Sequence, residues 1–221
     1  MTQIAVYGAG GMGREVAETV LAAAQAGEDL TLLGFLDDGA GTEGKQVLGY
    51  PVLGPGEWLT EHPDVKVVLG VGHPWVRYRI VHKVLELGGE WASLVHPSAV
   101  VMPSATIGEG CVVFAGCVLS SNCRLGRFSY LNYNTVISHD AAVGDFACIM
   151  AQNALSGNVH VGEGSFMGVG ISTRQGTSVG EWTIVGAGAA VVRDIPSFCV
   201  AVGVPARPIK HYEKPEEMPA F

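Results

Sequence analysis

No stretch of this 221-residue chain approaches the roughly 18 consecutive apolar residues needed to cross a bilayer. The opening Met1-Thr2-Gln3-Ile4 also lacks the basic start and apolar core of an export signal. A cytoplasmic protein with no membrane insertion is expected. Basic residues are scarce: 13 Lys and Arg face 21 Asp and Glu, giving a net charge of −8 and a pI near 5.3. A nucleic-acid partner is excluded on that ground, because a phosphate backbone demands clustered cations. Any anionic ligand must instead be held by local groups. The five cysteines are an odd number, and Cys111, Cys117 and Cys123 fall six apart, on different sides of the repeat described next. They read as packing residues, neither a disulfide framework nor a zinc site. Between residues 98 and 196 the only histidines are His139 and His160.

What the chain does have is a six-residue period. Seventeen positions from Val95 to Val191 carry an aliphatic or methionine side chain in every case but Thr173, with no break in register. Gly108, Gly126, Gly144, Gly162 and Gly180 each follow a member of the series and are eighteen apart, so three hexads make one turn. This is the pattern of a parallel β-helix, whose coils stack at the strand spacing of about 4.8 Å. The fifth position of each hexad is usually small. Fifth and following first positions lie two apart and point inward together, which leaves the third and fourth as exposed corners.

The first ninety residues read differently. Ile4 to Tyr7 is a short apolar run entering Gly8-Ala9-Gly10-Gly11-Met12-Gly13, followed by helically spaced Val16, Ala17, Val20, Leu21 and Ala24. Gly8, Gly10 and Gly13 fit G-x-G-x-x-G in the strand-to-helix setting where backbone can approach a phosphate. A second strand over Leu30–Leu36 ends at Asp37-Asp38, placed to contact a ribose or base. A third, Val65 to Val71, ends at Gly72 before a helix from Trp75 to Leu87. A tight turn without ligand is the plain alternative for the glycines, and a solvated turn for the carboxylates. An NAD oxidoreductase is opposed by size, since about three βα units are enough for one mononucleotide-binding half only. The length suits two domains, 1–94 and 95–221.

On the solenoid, His139-Asp140 takes the third and fourth positions of the hexad from Ile137 to Ala142, an exposed corner. An imidazole can accept a proton near neutral pH and an adjacent carboxylate can orient it, as a general base for acyl transfer requires. A solvated corner is the plain alternative. His160 takes a sixth position, outward on a flat face, and a structural role suits it better. Cys148 is likewise a sixth-position residue suited to surface packing. With two histidines on different faces and no third, a catalytic zinc is not expected.

Tyr7 to Glu15, then Phe35-Leu36-Asp37-Asp38, the hexads with Ile137-Ser138-His139-Asp140, and finally Val202 to Arg207 together resemble the bacterial sugar O- and N-acyltransferases of the NeuD/PglD type over nearly the whole chain. The resemblance implies a Rossmann-like domain holding a nucleotide sugar. It further implies a left-handed β-helix assembled as a homotrimer, with acetyl-CoA in the groove between neighbouring solenoids and no metal. By the same resemblance His139 is the general base and Asp140 its modulator. Cys148, Gly157, Val169 and Ala187 fall on the acetyl-CoA side, and Gly8, Ala9, Gly10, Met12, Asp37, Asp38 and Gly72 on the nucleotide-sugar side. Met12 and Cys148 stand where relatives carry histidines.

The expected reaction is acetyl transfer from acetyl-CoA to the amine of a nucleotide-linked amino-deoxy sugar, with surface-glycan synthesis as the setting. O-acetylation of a sugar such as a sialic acid, and a non-catalytic nucleotide-binding regulator, are the alternatives. The tail from Lys210 to Phe221 leaves the repeat, either to pack on a neighbour or to stay loose.

Overall fold

The computed structural model describes residues 1–219, so the last two residues of the expected tail lie outside the described residues. The chain forms two compact units, one of Met1–Gly72 with Val76–Pro97, the other of His73–Trp75 with the chain from Ser98 onward.

The first unit is a Rossmann-like α/β layer. Strands β1 (Thr2–Tyr7), β2 (Leu30–Leu36), β3 (Gln46–Val47), β4 (Tyr50–Gly54), β5 (Lys66–Leu69) and β6 (Glu90–Trp91) join in the order β3-β4-β2-β1-β5-β6. All pairings are parallel except β3 with β4. Helix α1 (Gly11–Gln25) buries Val16, Ala17 and Val20 of the expected stripe, with Ala23 in place of the half-buried Leu21 and Ala24. Helix α2 (Pro74–Glu86) starts on a proline, whose missing N–H costs nothing in a first turn. From β1 the chain crosses to β2 on one side and later to β5 on the other. The carboxyl ends of these strands therefore splay around a crevice, the usual ligand position in such sheets. The antiparallel β3–β4 hairpin falls outside the sequence reading, because its two-residue arm is too short to show periodicity.

The second unit is the left-handed parallel β-helix. Each hexad supplies a two-residue strand from its sixth and next first positions, and strands eighteen residues apart pair in parallel, as Arg124 with Ala142 and Ala142 with His160. Three faces result. The first face carries Val112–Val113, Tyr130–Leu131 and Cys148–Ile149; the second Val118–Leu119, Val136–Ile137 and Ala154–Leu155; the third Arg124–Leu125, Ala142–Val143 and His160–Val161.

First-position side chains such as Leu119, Leu131, Ile149, Leu155 and Met167 are fully buried, as are the small fifth positions Cys117, Cys123, Ala141 and Ala147. Polar fifth positions stay inside because the coil backbone satisfies them. Ser129 Oγ donates to the Gly126 and Gly144 carbonyls, and Asn153 Nδ2 to those of Met150 and Gly168. Thr173, the exception in the apolar series, accepts the Ser156 N–H on its hydroxyl at 2.9 Å. Val101 departs from the inward pattern at 38% exposed, because its strand is the end strand of its face.

Two further expectations change. Cys148 has no exposed surface and its thiol lies 3.7 Å from the Phe146 carbonyl, so it is a buried residue and not a surface one. Over its described part the tail does not hang loose. Cys199–Val202 and Arg207–His211 form an antiparallel hairpin, and Tyr212 and Met218 bury themselves against Ile184. The Tyr212 hydroxyl donates to the Trp182 carbonyl.

The eighteen-residue glycines answer to contact between coils. A Cβ on Gly126 would sit 2.6 Å from the Asp145 nitrogen, and one on Gly144 2.6 Å from the Glu163 nitrogen, where the next coil turns directly overhead. Gly176 has open space around it and needs glycine only for its φ of +72°. Gly144→Ala is expected to destabilise the solenoid by about 2–3 kcal/mol through backbone overlap. Gly176→Ala should cost only ~1 kcal/mol of left-handed strain. Urea midpoints of the two variants measure the difference, and equal shifts would contradict the close-stacking account.

Candidate functional site

His139 and Asp140 occupy the vertex between the second and third faces. Backbone bonds to the coils on either side hold the corner: Asp140 N–H donates to Ser121 O at 3.0 Å, and Asn158 N–H to His139 O at 3.0 Å. The fourth corner position is left-handed in successive coils, with φ of +57° at Asn122, +59° at Asp140 and +57° at Asn158. Asn and Asp are the L-residues that tolerate this conformation best, so the sequence at these corners follows the backbone.

His139 Nδ1 lies 2.9 Å from Asp140 Oδ2, with the two side chains 52% and 46% exposed. The hydrogen bond from His139, then one from Asn122, hold the Asp140 carboxyl below its usual range. An ionised carboxylate only accepts, so Nδ1 carries the hydrogen and Nε2 of the neutral ring presents a lone pair. Beneath the ring, a Cβ on Gly157 would overlap His139 Cε1 and Nε2. Glycine in the next coil is what gives the imidazole its seat.

Other residues that the resemblance groups with this pair stand apart from it within one chain. Val169, 47% exposed, and the exposed Ala187 share the vertex between the first and second faces, while Cys148 is buried on the first face. A groove of about 620 Å³ runs beside Asp140 along the third face, lined also by Ser104, Thr106, Asn122, Arg124 and His160. These groove residues were not singled out from sequence, apart from His160, which had been given a structural role. The eighteen-residue spacing was the available signal, since 104, 122 and 140 are successive fourth positions and 124, 142 and 160 successive sixth positions. Among the described residues no three His, Cys, Asp or Glu side chains are grouped to hold a metal ion, and no helix is long and apolar enough to cross a membrane.

In the first unit, a second cavity of about 350 Å³ opens at the carboxyl ends of the strands, lined by Tyr7, Gly8, Asp37, Asp38, Arg79 and Lys83 among others. Both carboxylates are already engaged. Asp37 accepts Ala9 N–H at 2.9 Å and Gly39 N–H at 2.8 Å, which ties the glycine loop to the end of β2. Asp38 accepts the Tyr7 hydroxyl at 2.9 Å, Gly56 N–H at 3.1 Å and the Lys83 ammonium at 2.9 Å. Burial pushes the Asp38 carboxyl up, but the hydrogen bonds from Lys83, Gly56 and Tyr7 outweigh it and hold the group below its usual range. Burial and Asp38 drive the Tyr7 hydroxyl well above its usual range, so it remains a donor.

The motif glycines divide by role. A Cβ on Gly13 would overlap the Gly8 carbonyl, and one on Gly8 would meet Gly70 O at 2.8 Å, so both are demanded by packing. Gly10, the N-cap of α1, faces open space. Met12 lies over Gly72, where a Cβ would be 2.7 Å from its methyl carbon. Helix α2 turns Val76, Arg79, Ile80 and Lys83 toward the cavity, an i, i+3, i+4, i+7 stripe. Lys83 is committed to Asp38 and, at 3.1 Å, to Glu57, whereas Arg79 is exposed and forms no ion pair among the described residues.

Known proteins match both units of the chain. The PglD N-terminal domain family matches residues 3–84, and none of the curated proteins compared with the chain matches it. The acetyltransferase domain of PglB from Neisseria gonorrhoeae FA1090, solved in complex with acetyl coenzyme A, is 37% identical over 94% of this chain and 98% of that one, with a TM-score of 0.84. A mutant of perosamine N-acetyltransferase from Caulobacter crescentus, in complex with CoA and GDP-perosamine, is 32% identical over 95% and 98%, with a TM-score of 0.87. WeeI from Acinetobacter baumannii AYE is 26% identical over 95% and 100%, with a TM-score of 0.82. With its glycine-loop α/β unit, its hexapeptide solenoid and relatives matched over nearly their full length, the chain belongs to the NeuD/PglD-type sugar acetyltransferase family.

Proposed function

We propose that this protein transfers the acetyl group of acetyl-CoA to the amino group of a nucleotide-linked amino-deoxy sugar, with His139 as general base. The His139–Asp140 pair carries the reading. Nδ1–H is held by the carboxylate, so Nε2 takes a proton from the amine as its nitrogen attacks the thioester carbonyl. The C–N bond forms, the C–S bond breaks, and CoA leaves as thiolate or thiol without a covalent enzyme intermediate. Asp140 stabilises the imidazolium that develops. The relatives support the two substrate classes, since one was solved with acetyl coenzyme A and another with CoA and GDP-perosamine.

The site is completed in a homotrimer. His139 and Gly157 stand on one edge of the solenoid and Val169 and Ala187 on another, so these two sets line a single groove only when they come from neighbouring copies. The second face favours such contact, with Val100 49% exposed, Val136 37% exposed and Ala154 exposed on its outward positions. In the first unit, the cavity at the strand ends takes the nucleotide. Its preorganised, ionised Asp38 accepts from ligand N–H or O–H groups, and Arg79 supplies the uncommitted cation that a diphosphate requires in a chain of net charge −8.

Incubation with acetyl-CoA and a panel of amino-sugar nucleotides and free sugars, read as CoA release, tests the reaction and separates amine from hydroxyl acceptors. His139→Ala is expected to lower kcat by about 10² to 10⁴ with the assembly intact by light scattering; near-normal turnover would remove His139 from the mechanism. Arg79→Ala should raise KM for the nucleotide sugar by about tenfold, the loss of one hydrogen bond to a charged group, and leave kcat nearly unchanged. An unaltered KM would take Arg79 out of the nucleotide site. A strictly monomeric sample with full activity would refute the shared groove.

A further inference from the structure

The vertex that carries His139 holds a column of side-chain hydrogen bonds reaching two coils away from the imidazole. Ser104 Oγ accepts the Asn122 N–H at 3.0 Å. Asn122 Nδ2 donates to Asp140 Oδ1 at 3.3 Å. Asp140 Oδ2 accepts from His139 Nδ1 at 2.9 Å. Asn122 and Asp140 are stacked fourth-corner residues with nearly identical left-handed φ, +57° and +59°, so their side chains leave the backbone in the same direction one coil apart.

We infer that Asn122 is a positioning residue for the His139–Asp140 pair, holding one carboxylate oxygen so that the other faces the imidazole. The inference rests on the proposed general-base role of His139. Asp140 is 46% exposed, so packing covers only part of its side chain. Left alone, an exposed carboxylate samples several χ1 wells, and each departure releases Nδ1–H and the ring orientation with it. The amide suits the task for two reasons. Its Nδ2 is a neutral donor of the right reach, and Asn occupies the left-handed corner with little strain. A carboxylate at 122 would place a like charge against Asp140. The charged and titratable groups beside this column are Asp140 and His139 on the vertex and Arg124 and His160 on the adjoining third face. Asn122 touches neither the imidazole nor, in this reading, the substrate, which separates its role from catalysis proper.

Asn122→Gly removes the donor while keeping the residue best suited to positive φ, so the backbone should be undisturbed. The variant is expected to lose on the order of tenfold in kcat, with KM for both substrates and the melting temperature unchanged. Coupled to Asp140→Asn it should lower kcat no further than Asp140→Asn alone, because both act through one interaction. Asn122→Asp should move the acid limb of the kcat/KM profile to higher pH at low salt, and less so at high salt, as the added negative charge favours the protonated base. Wild-type kcat in Asn122→Gly, additive losses in the double variant, or a loss confined to KM would each overturn the inference. The imidazole NMR titration of His139, assigned with His139→Ala, provides a readout free of turnover. Its midpoint should rise in Asn122→Asp, and an identical titration in wild type and both Asn122 variants would reject the positioning role even if no acyl acceptor were found.

Discussion

Vertical stacking at eighteen residues per coil is the constraint on which the solenoid and its chemistry depend. Each corner residue meets its counterpart one coil away at about the interstrand distance of 4.8 Å, so a choice at one position is felt eighteen residues on. Gly126 and Gly144 stay bare because the coil above turns into the space a methyl group would need. By the same rule Gly157 stays bare beneath the His139 ring, and Asn122 can hold Asp140. The repeat thus acts as a scaffold in which the His139–Asp140 pair is supported from above and below by residues far away in sequence.

The α/β unit has a different character, with two carboxylates at the mouth of the cleft where its strands end. Asp37 and Asp38 look from sequence like groups waiting for a ligand. Their oxygens are instead engaged from within, Asp37 by the backbone of the glycine loop and Asp38 by Tyr7, Gly56 and Lys83. Internal bonding of this kind fixes their geometry, and Asp38 is kept ionised. It also uses up the Lys83 charge, leaving Arg79 as the cation whose field is open to the cavity.

Legibility differed between the two units for physical reasons. The hexads repeat seventeen times, and a period that long is hard to mistake even though each strand is two residues long. The strands β1 and β2 and both helices were visible through apolar runs and helical spacing. The hairpin β3–β4 carries too few residues to leave a pattern. Cys148 was misplaced because alternation along a strand tells which way a side chain points but not what lies on that side. His160 is exposed on its flat face as its position predicts, but the groove it lines beside Asp140 is a concavity formed by three coils together. The tail was open to two readings for a related reason, since Tyr212 and Met218 find their partner Ile184 only once the solenoid has formed.

From residue order alone came the two architectures, the corner location of His139-Asp140 and the strand-to-helix setting of the glycine loop, because periodicity and local turn chemistry are properties of neighbours along the chain. Folding in three dimensions settled which oxygen of Asp140 faces the imidazole, why Gly157 is bare, which cation remains open in the cleft at the strand ends and which edge each groove residue occupies. Those outcomes depend on distances between coils and across the crevice, and such distances exist only after the chain has closed on itself.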